Sequence, residues 1–274
     1  MADSTNDPDS ELEGGKMPLL DHLVELRTRL IYAVAAFVVC FFLGYYLAEP
    51  IFRFLVEPLH EMWAGQENRR LIYTALHEAF FTYIKVGFFF AACVSFPLVS
   101  MQIWLFIAPG LYKHERKALL PFLVATPVLF LLGAAMVYYI VIPLAWQFFA
   151  SFETSGVDGN LAMTLEPKVD QYLSLVMRLI FAFGVAFELP VLLILLAKVG
   201  IVSAQGLRDK RKYAIVVAFV AAAILTPPDV ISQVLLAVPI ILLYEISIFV
   251  AQFIEKKREE EAQAADSDTD GTTP

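Results

Sequence analysis

Apolar residues in this chain gather into long blocks. Leu30 to about Ala48, Phe80 to Ile107, Leu119 to Trp146 and Tyr172 to Ala197 are each near or above the ~20 residues needed to cross a bilayer. Two further blocks, Tyr213–Leu225 and Val230–Ile254, flank the turn "TPPD" at Thr226–Asp229. Hydrocarbon offers the backbone no water partner, so such runs predict helices, six in all. An even number of crossings returns the chain to the side on which it began. The fifth block is short: at ~1.5 Å per residue it reaches ~20 Å, against a hydrocarbon core ~30 Å thick. Between the first two blocks, "IFRFLVEPL" predicts a short amphipathic helix on the membrane surface. Pro50–His77 and Gln147–Pro167 are long enough to build structured caps.

Composition agrees. Hydrophobic residues make up 59% and charged residues 18% of the 274, well away from the ~45–50% and ~25% of soluble domains. Fourteen of the twenty Lys and Arg residues fall on the side of the termini and four on the other, with Lys85 and Arg178 near the outer ends of spans, where they can snorkel. This asymmetry places both termini in the cytoplasm. The net charge of −8 arises from the ends. Residues 1–18 and 255–274 are expected to be charged, disordered tails around a transmembrane domain spanning 19–254.

Inside the spans, polar groups are costly, by ~2.5–3.5 kcal/mol for a charge on insertion scales. Glu188, in "FGVAFELPVLLILL", lies near the bilayer midplane, two residues before Pro190. It is either a protonated carboxyl bonded to a neighbouring helix or a polar site facing a cavity or partner. Asp229 fits a helix cap after two prolines. Pro97, Pro121, Pro127, Pro143, Pro190 and Pro239 favour kinked helices and a concave bundle. Cys40 and Cys93 read as packing thiols, and the four histidines form no ligand set. No nucleotide loop, zincin pair or serine nucleophile motif is present. The expectation is a non-enzyme without metal, cofactor or nucleic-acid partner. A proton-coupled small-molecule transporter using Glu188 is the alternative, although no internal repeat supports it.

Two cytoplasmic segments carry acids among bases. "HLVELRTRL", His22–Leu30, is amphipathic, with His22, Glu25 and Arg29 on one face. "LYKHERK" holds Glu115 amid four bases. The bases anchor topology; the carboxylates either pair locally or bind a cation such as guanidinium.

"HLVELRTRL", "SFPLVSMQIWLFIAPGLYKHERK", "FAFGVAFELPV" and "LTPPDVISQVLLAVPIILLYE" resemble the TatC family, the receptor subunit of the twin-arginine protein translocase. The resemblance covers about Leu19 to Phe253. It implies an all-α polytopic protein: six transmembrane helices in a concave, glove-like bundle in the bacterial inner membrane, with both termini cytoplasmic. It implies binding of twin-arginine signal peptides of folded cargo, with TatB-like and TatA-like single-span subunits as partners, self-association, and transport driven by the proton-motive force. For this sequence it implies a signal-binding surface of Glu25, Arg27, Phe106, Pro109, Tyr112, Lys113 and Glu115. It further implies an intramembrane polar site at Glu188, and docking or structural roles for Pro58, Pro97, Asp229 and Gln233.

Overall fold

The computed structural model describes residues 19–64, 69–111, 120–154, 161, 163–198, 200–226 and 230–270. Among them the chain is helical, with only two isolated bridges, Ile72 with Lys168 and Thr154 with Met163. Helices α1 (Leu19–Tyr46), α2 (Ala48–Met62) and α3 (Glu78–Leu111) come first. A third crossing is built from α4 (Leu120–Met136), a π-helical turn (Val137–Val141) and α5 (Ile142–Ala150). The fourth is α6 (Val169–Ala186) with α7 (Leu189–Lys198); the short α8 (Ala204–Asp209) leads to α9 (Arg211–Leu225) and α10 (Val230–Asp270). Five of these units are long and apolar enough to span a membrane; α9, with 15 residues, covers only ~22 Å.

Direction follows from contacts. Lys85 near the start of α3 pairs with Asp170 in the first turn of α6, so both helices start on one side. That side also carries α2 and is here called the cap side. The opposite, terminal side holds the start of α1 beside the end of α3, where the His22 and Phe106 rings stack at 4.3 Å. It also holds α8, whose Ala204 N–H donates to Glu255 Oε1 on α10 at 2.8 Å.

Side-chain chemistry explains the breaks. Pro190 has no N–H and its ring crowds the preceding turn, so the fourth crossing opens at Phe187–Glu188. There the Glu188 N–H reaches Val185 O at 3.0 Å, a tighter bond than the α-helical one. Pro143 likewise cannot bond back to Tyr139, and the π turn lies just before it, with Ile142 N–H reaching Val137 O. α2 buries Ala48, Leu55, Pro58 and Leu59 on one face. The hydroxyls of Tyr138 and Tyr172 donate to the Phe54 and Leu55 carbonyls at 2.6 and 3.1 Å, pinning α2 across the bundle. The expected surface helix is therefore present, clamped from below.

Glycines mark the closest approaches. A Cβ on Gly44 of α1 would stand 2.7 Å from the Phe90 ring and 2.9 Å from Gly87 O of α3. A Cβ on Gly133 of α4 would stand 2.6 Å from Phe183 O of α6. The main core joins α2, α3, the third and fourth crossings, α9 and α10, with Val86, Val137, Ile142, Val176, Phe183 and Leu236 at its centre. α1 sits outside it, packed on α3.

One boundary differs from expectation. α10 does not end near Ile254 but continues to Asp270. The segment "EKKREEEAQAA" after Ile254 has no apolar face to bury, yet it consists of strong helix formers, and Lys256 stands 3.8 Å from Glu260 one turn on. Of the expected tail 255–274, residues 255–270 thus continue the helix, and 271–274 lie outside the described residues. The N-terminal tail 1–18 lies outside the described residues.

Candidate functional site

On the terminal side, the first turns of α1 lie against the last turns of α3. Glu25 and Arg29 are one helical turn apart and both half-buried. Arg29 Nε and Nη2 donate to the same oxygen, Glu25 Oε1, at 2.9 and 2.5 Å. Arg29 Nη1 turns to α3 and donates to Gln102 Oε1 at 3.4 Å, a long contact. One turn up α3, Phe106 stacks on His22 with the rings 13° from parallel. The junction is thus a carboxylate filled by an internal guanidinium, with a nearby amide and a flat aromatic wall. Arg27 is exposed and, among the described residues, makes no ion pair.

Of the expected signal-binding residues, the structure brings together Glu25 and Phe106, while Arg27, two residues and roughly 200° of helix from Glu25, is exposed on the other face of α1. Pro109 lies in the last turn of α3, and its side chain is outside the described residues, as are Tyr112, Lys113 and Glu115 altogether. In the chain, α3 ends just before that segment and α4 begins just after it. His22, Arg29 and Gln102 complete the junction. His22 and Arg29 belonged to the amphipathic face read from the sequence. Gln102 was missed; its signal was a lone amide in the apolar run "VSMQIWLF".

The polar groups within the spans separate. Glu188 projects from the α6–α7 break toward Thr126 of α4, yet Glu188 Oε1 and Thr126 Oγ1 are both buried without a completed hydrogen bond. Pro58 is buried in the middle of α2, and Pro97 lies half-buried within α3. Gln233 Nε2 donates to Phe219 O at 3.0 Å, stitching the first turn of α10 to α9. Asp229 lies outside the described residues. Among the described residues no group of His, Cys, Asp and Glu could hold a metal ion.

The cap side has a polar clasp that no motif announced. Arg69 donates through Nη1 and Nη2 to Glu153 Oε1 and Oε2, both at 2.6 Å, joining the two cap segments. The Leu165 N–H adds a bond to Glu153 Oε1 at 2.7 Å, and the Arg69 guanidinium lies 5.9 Å from the Trp63 ring centre. The hydrogen bonds from Arg69 hold the Glu153 carboxyl below the usual carboxylate range. At the start of α3, Glu78 Oε2 accepts the Thr74 N–H at 2.8 Å.

A family model described as Sec-independent protein translocase protein (TatC) matches residues 21–239. The Sec-independent protein translocase protein TatC of Magnetococcus marinus is 55% identical over 252 residues, covering 92% of this chain and 90% of that protein. The proteins of the same name from Rickettsia prowazekii and Escherichia coli K12 are 45% and 42% identical, covering 87% and 86% of this chain. A solved structure described as the twin arginine translocase receptor TatC superposes with a TM-score of 0.74 at 38% identity, over 85% of this chain and 99% of that one.

Proposed function

The chain belongs to the TatC family, and from that premise we propose that the junction of α1 and α3 receives the paired arginines of twin-arginine signal peptides. The protein is a multi-pass membrane subunit of the Sec-independent translocase and serves it as receptor. One observation supports the recognition step above all: Glu25 already holds a guanidinium. A ligand arginine would take the place of Arg29 on that carboxylate, and Gln102 stands ready to accept the released Nη1. The second arginine would meet Glu115. The aromatic face of Phe106 suits a planar guanidinium as well as it suits His22. A lysine carries the charge without the planar fork, so a twin-lysine leader would bind more weakly.

The test is site-specific crosslinking of a twin-arginine leader in native membranes. A hydrogen bond to a charged group contributes ~1.5–3 kcal/mol, so Glu25→Gln or Glu115→Ala should lower occupancy by about 10- to 100-fold while insertion is unchanged. Undiminished crosslinking in both variants refutes the assignment.

The remaining roles follow the same reading. Both termini lie in the cytoplasm, and the protein sits in the inner membrane. TatB-like and TatA-like single spans dock along the short α9 and α10, and the proton-motive force drives transport of folded cargo. Glu188, with one oxygen unpaired at the helix break, offers a mid-depth polar contact to a partner side chain or to the inserted signal hairpin. Glu188→Leu should weaken co-purification with a single-span subunit; unchanged assembly and transport would rule that role out.

A further inference from the structure

The corner between α8 and α9 lies lower in the membrane than the exit of the helix it packs on. α8 begins where the Ala204 N–H meets Glu255 of α10, and α9 begins where Arg211 Nη2 meets Glu245 Oε2 at 2.5 Å. Those two partners are ten residues apart on one helix, so α8 carries the chain toward the cap side along ~15 Å of α10. Between them the Tyr244 hydroxyl donates to Leu207 O at 2.8 Å and holds the corner against α10. α9 then has only ~22 Å in which to cross a hydrocarbon layer ~30 Å thick. Beside α9 the headgroup layer therefore comes down to the corner.

Charge and apolar surface meet there. Arg208, Lys210 and Lys212 are exposed, and among the described residues none of them makes an ion pair. The acid between them, Asp209, accepts from Gln205 Nε2 at 3.0 Å on its own helix, and the nearby Glu245 is taken by Arg211. Lys212 Nζ stands 5.2 Å from the centre of the exposed Tyr213 ring. Lysine and tyrosine side by side suit the level of the headgroups. Toward the cap side, Val216, Val217 and Val220 are exposed on the same face of α9, while Ala218 and Ala222 turn into the core.

We infer that the α8–α9 corner binds a phospholipid with a net negative headgroup, its phosphate among Arg208, Lys210 and Lys212 and an acyl chain along Val216 and Val220. Two features together choose this occupant. Three cations against one carboxylate select an anion, and an acidic lipid over a zwitterionic one. The valine stripe directly beneath them selects an anion that carries an acyl chain over free phosphate. An acidic peptide from solution would have to descend below the level at which α10 leaves the membrane, where lipid already lies. The site does not involve the Glu25 carboxylate and does not rest on its role.

Native mass spectrometry of the full chain in detergent, titrated with phosphatidylglycerol or with phosphatidylcholine of the same acyl chains, tests this. Phosphatidylglycerol should be retained at about tenfold lower concentration than phosphatidylcholine. Lys210→Gln/Lys212→Gln should erase that preference, and Lys210→Arg/Lys212→Arg should keep it. Lys256→Gln/Lys257→Gln removes the same charge where α10 leaves the membrane and should leave the preference intact. Inorganic phosphate at equal concentration should not displace the lipid. In membranes that contain the whole translocase, a photoactivatable phosphatidylglycerol should label Tyr213–Val217. Equal retention of the two lipids, equal loss in both glutamine pairs, displacement by inorganic phosphate, or a label absent from that segment would each overturn the proposal. Should Lys210→Gln/Lys212→Gln fail to accumulate, the labelling of the unaltered chain decides.

Discussion

Glu25 and Arg29 form an ion pair one turn apart, and such pairs on exposed helices contribute little, ~0.3–0.5 kcal/mol. This one is half-buried beside the membrane, and it occupies the carboxylate that a ligand arginine would need. Arg29 would therefore act as a placeholder. It keeps Glu25 satisfied while the receptor is empty, and it obliges any ligand to compete with a guanidinium. Arg29→Gln should then tighten twin-arginine binding several-fold and narrow the margin over a twin-lysine leader, with Arg29→Lys in between. Gln102→Leu should do the opposite, because the displaced Arg29 loses its alternative acceptor. Titration with both leaders against detergent-solubilised protein reads the order. A drop in affinity for Arg29→Gln would mean that Arg29 only orients Glu25. The carboxylate and its face were legible in "HLVELRTRL", since helical spacing alone aligns His22, Glu25 and Arg29. Gln102 was not, because it lies 73 residues beyond Arg29 and pairing at that separation leaves no local pattern.

At the scale of elements, apolar run length located every crossing, and the short fifth block is observed as the 15-residue α9. Run length cannot show how helices touch. α4 and α6 meet at Gly133, where a methyl group would lie 2.6 Å from the Phe183 carbonyl oxygen, and at Gly184, whose Cβ would strike the Phe130 ring. Backbone cannot swing aside as a side-chain tip can. Gly133→Ala should therefore push α4 away from the Glu188 break and cost about 1–3 kcal/mol, the usual range for overpacking. Thermal unfolding in detergent measures it, and an unchanged transition would show that α4 shifts freely. The prolines announced that kinks exist. Only the structure distinguishes their outcomes: Pro190 opens the helix beside Glu188, whereas a π turn precedes Pro143. The terminal extension of α10 shows the reverse weakness. A segment with nothing to bury still forms helix when its residues favour it and its charges sit four apart.

For the whole molecule, the two sides of the membrane are organised differently. The terminal side presents an ion pair that a ligand can exchange, while the cap side is closed by a bidentate clasp between Arg69 and Glu153 that ties two segments 84 residues apart. Topology rules foresaw a structured cap but not its fastening, since an arginine and a glutamate in separate loops carry no periodicity. The clasp makes cap stability depend on pH in a fixed direction. Glu153 titrates lower when folded than when unfolded, because protonation would forfeit its bonds from Arg69 and the Leu165 N–H. Its contribution is thus complete above the ordinary carboxylate value of ~4.3 and fades as pH falls through the depressed folded value. Trp63 reports the event, since the Arg69 guanidinium lies beside its ring. Its fluorescence should stay constant from about pH 7 to 5 and change as the pH is lowered past ~4, with faster hydrogen exchange at the Leu165 amide over the same interval. Glu153→Gln should abolish most of that transition and leave the cap permanently looser, by about 1–2 kcal/mol. If Glu153→Gln keeps the same acid transition, the fastening resides elsewhere, and the polar cap is held chiefly by the tyrosine bonds beneath α2.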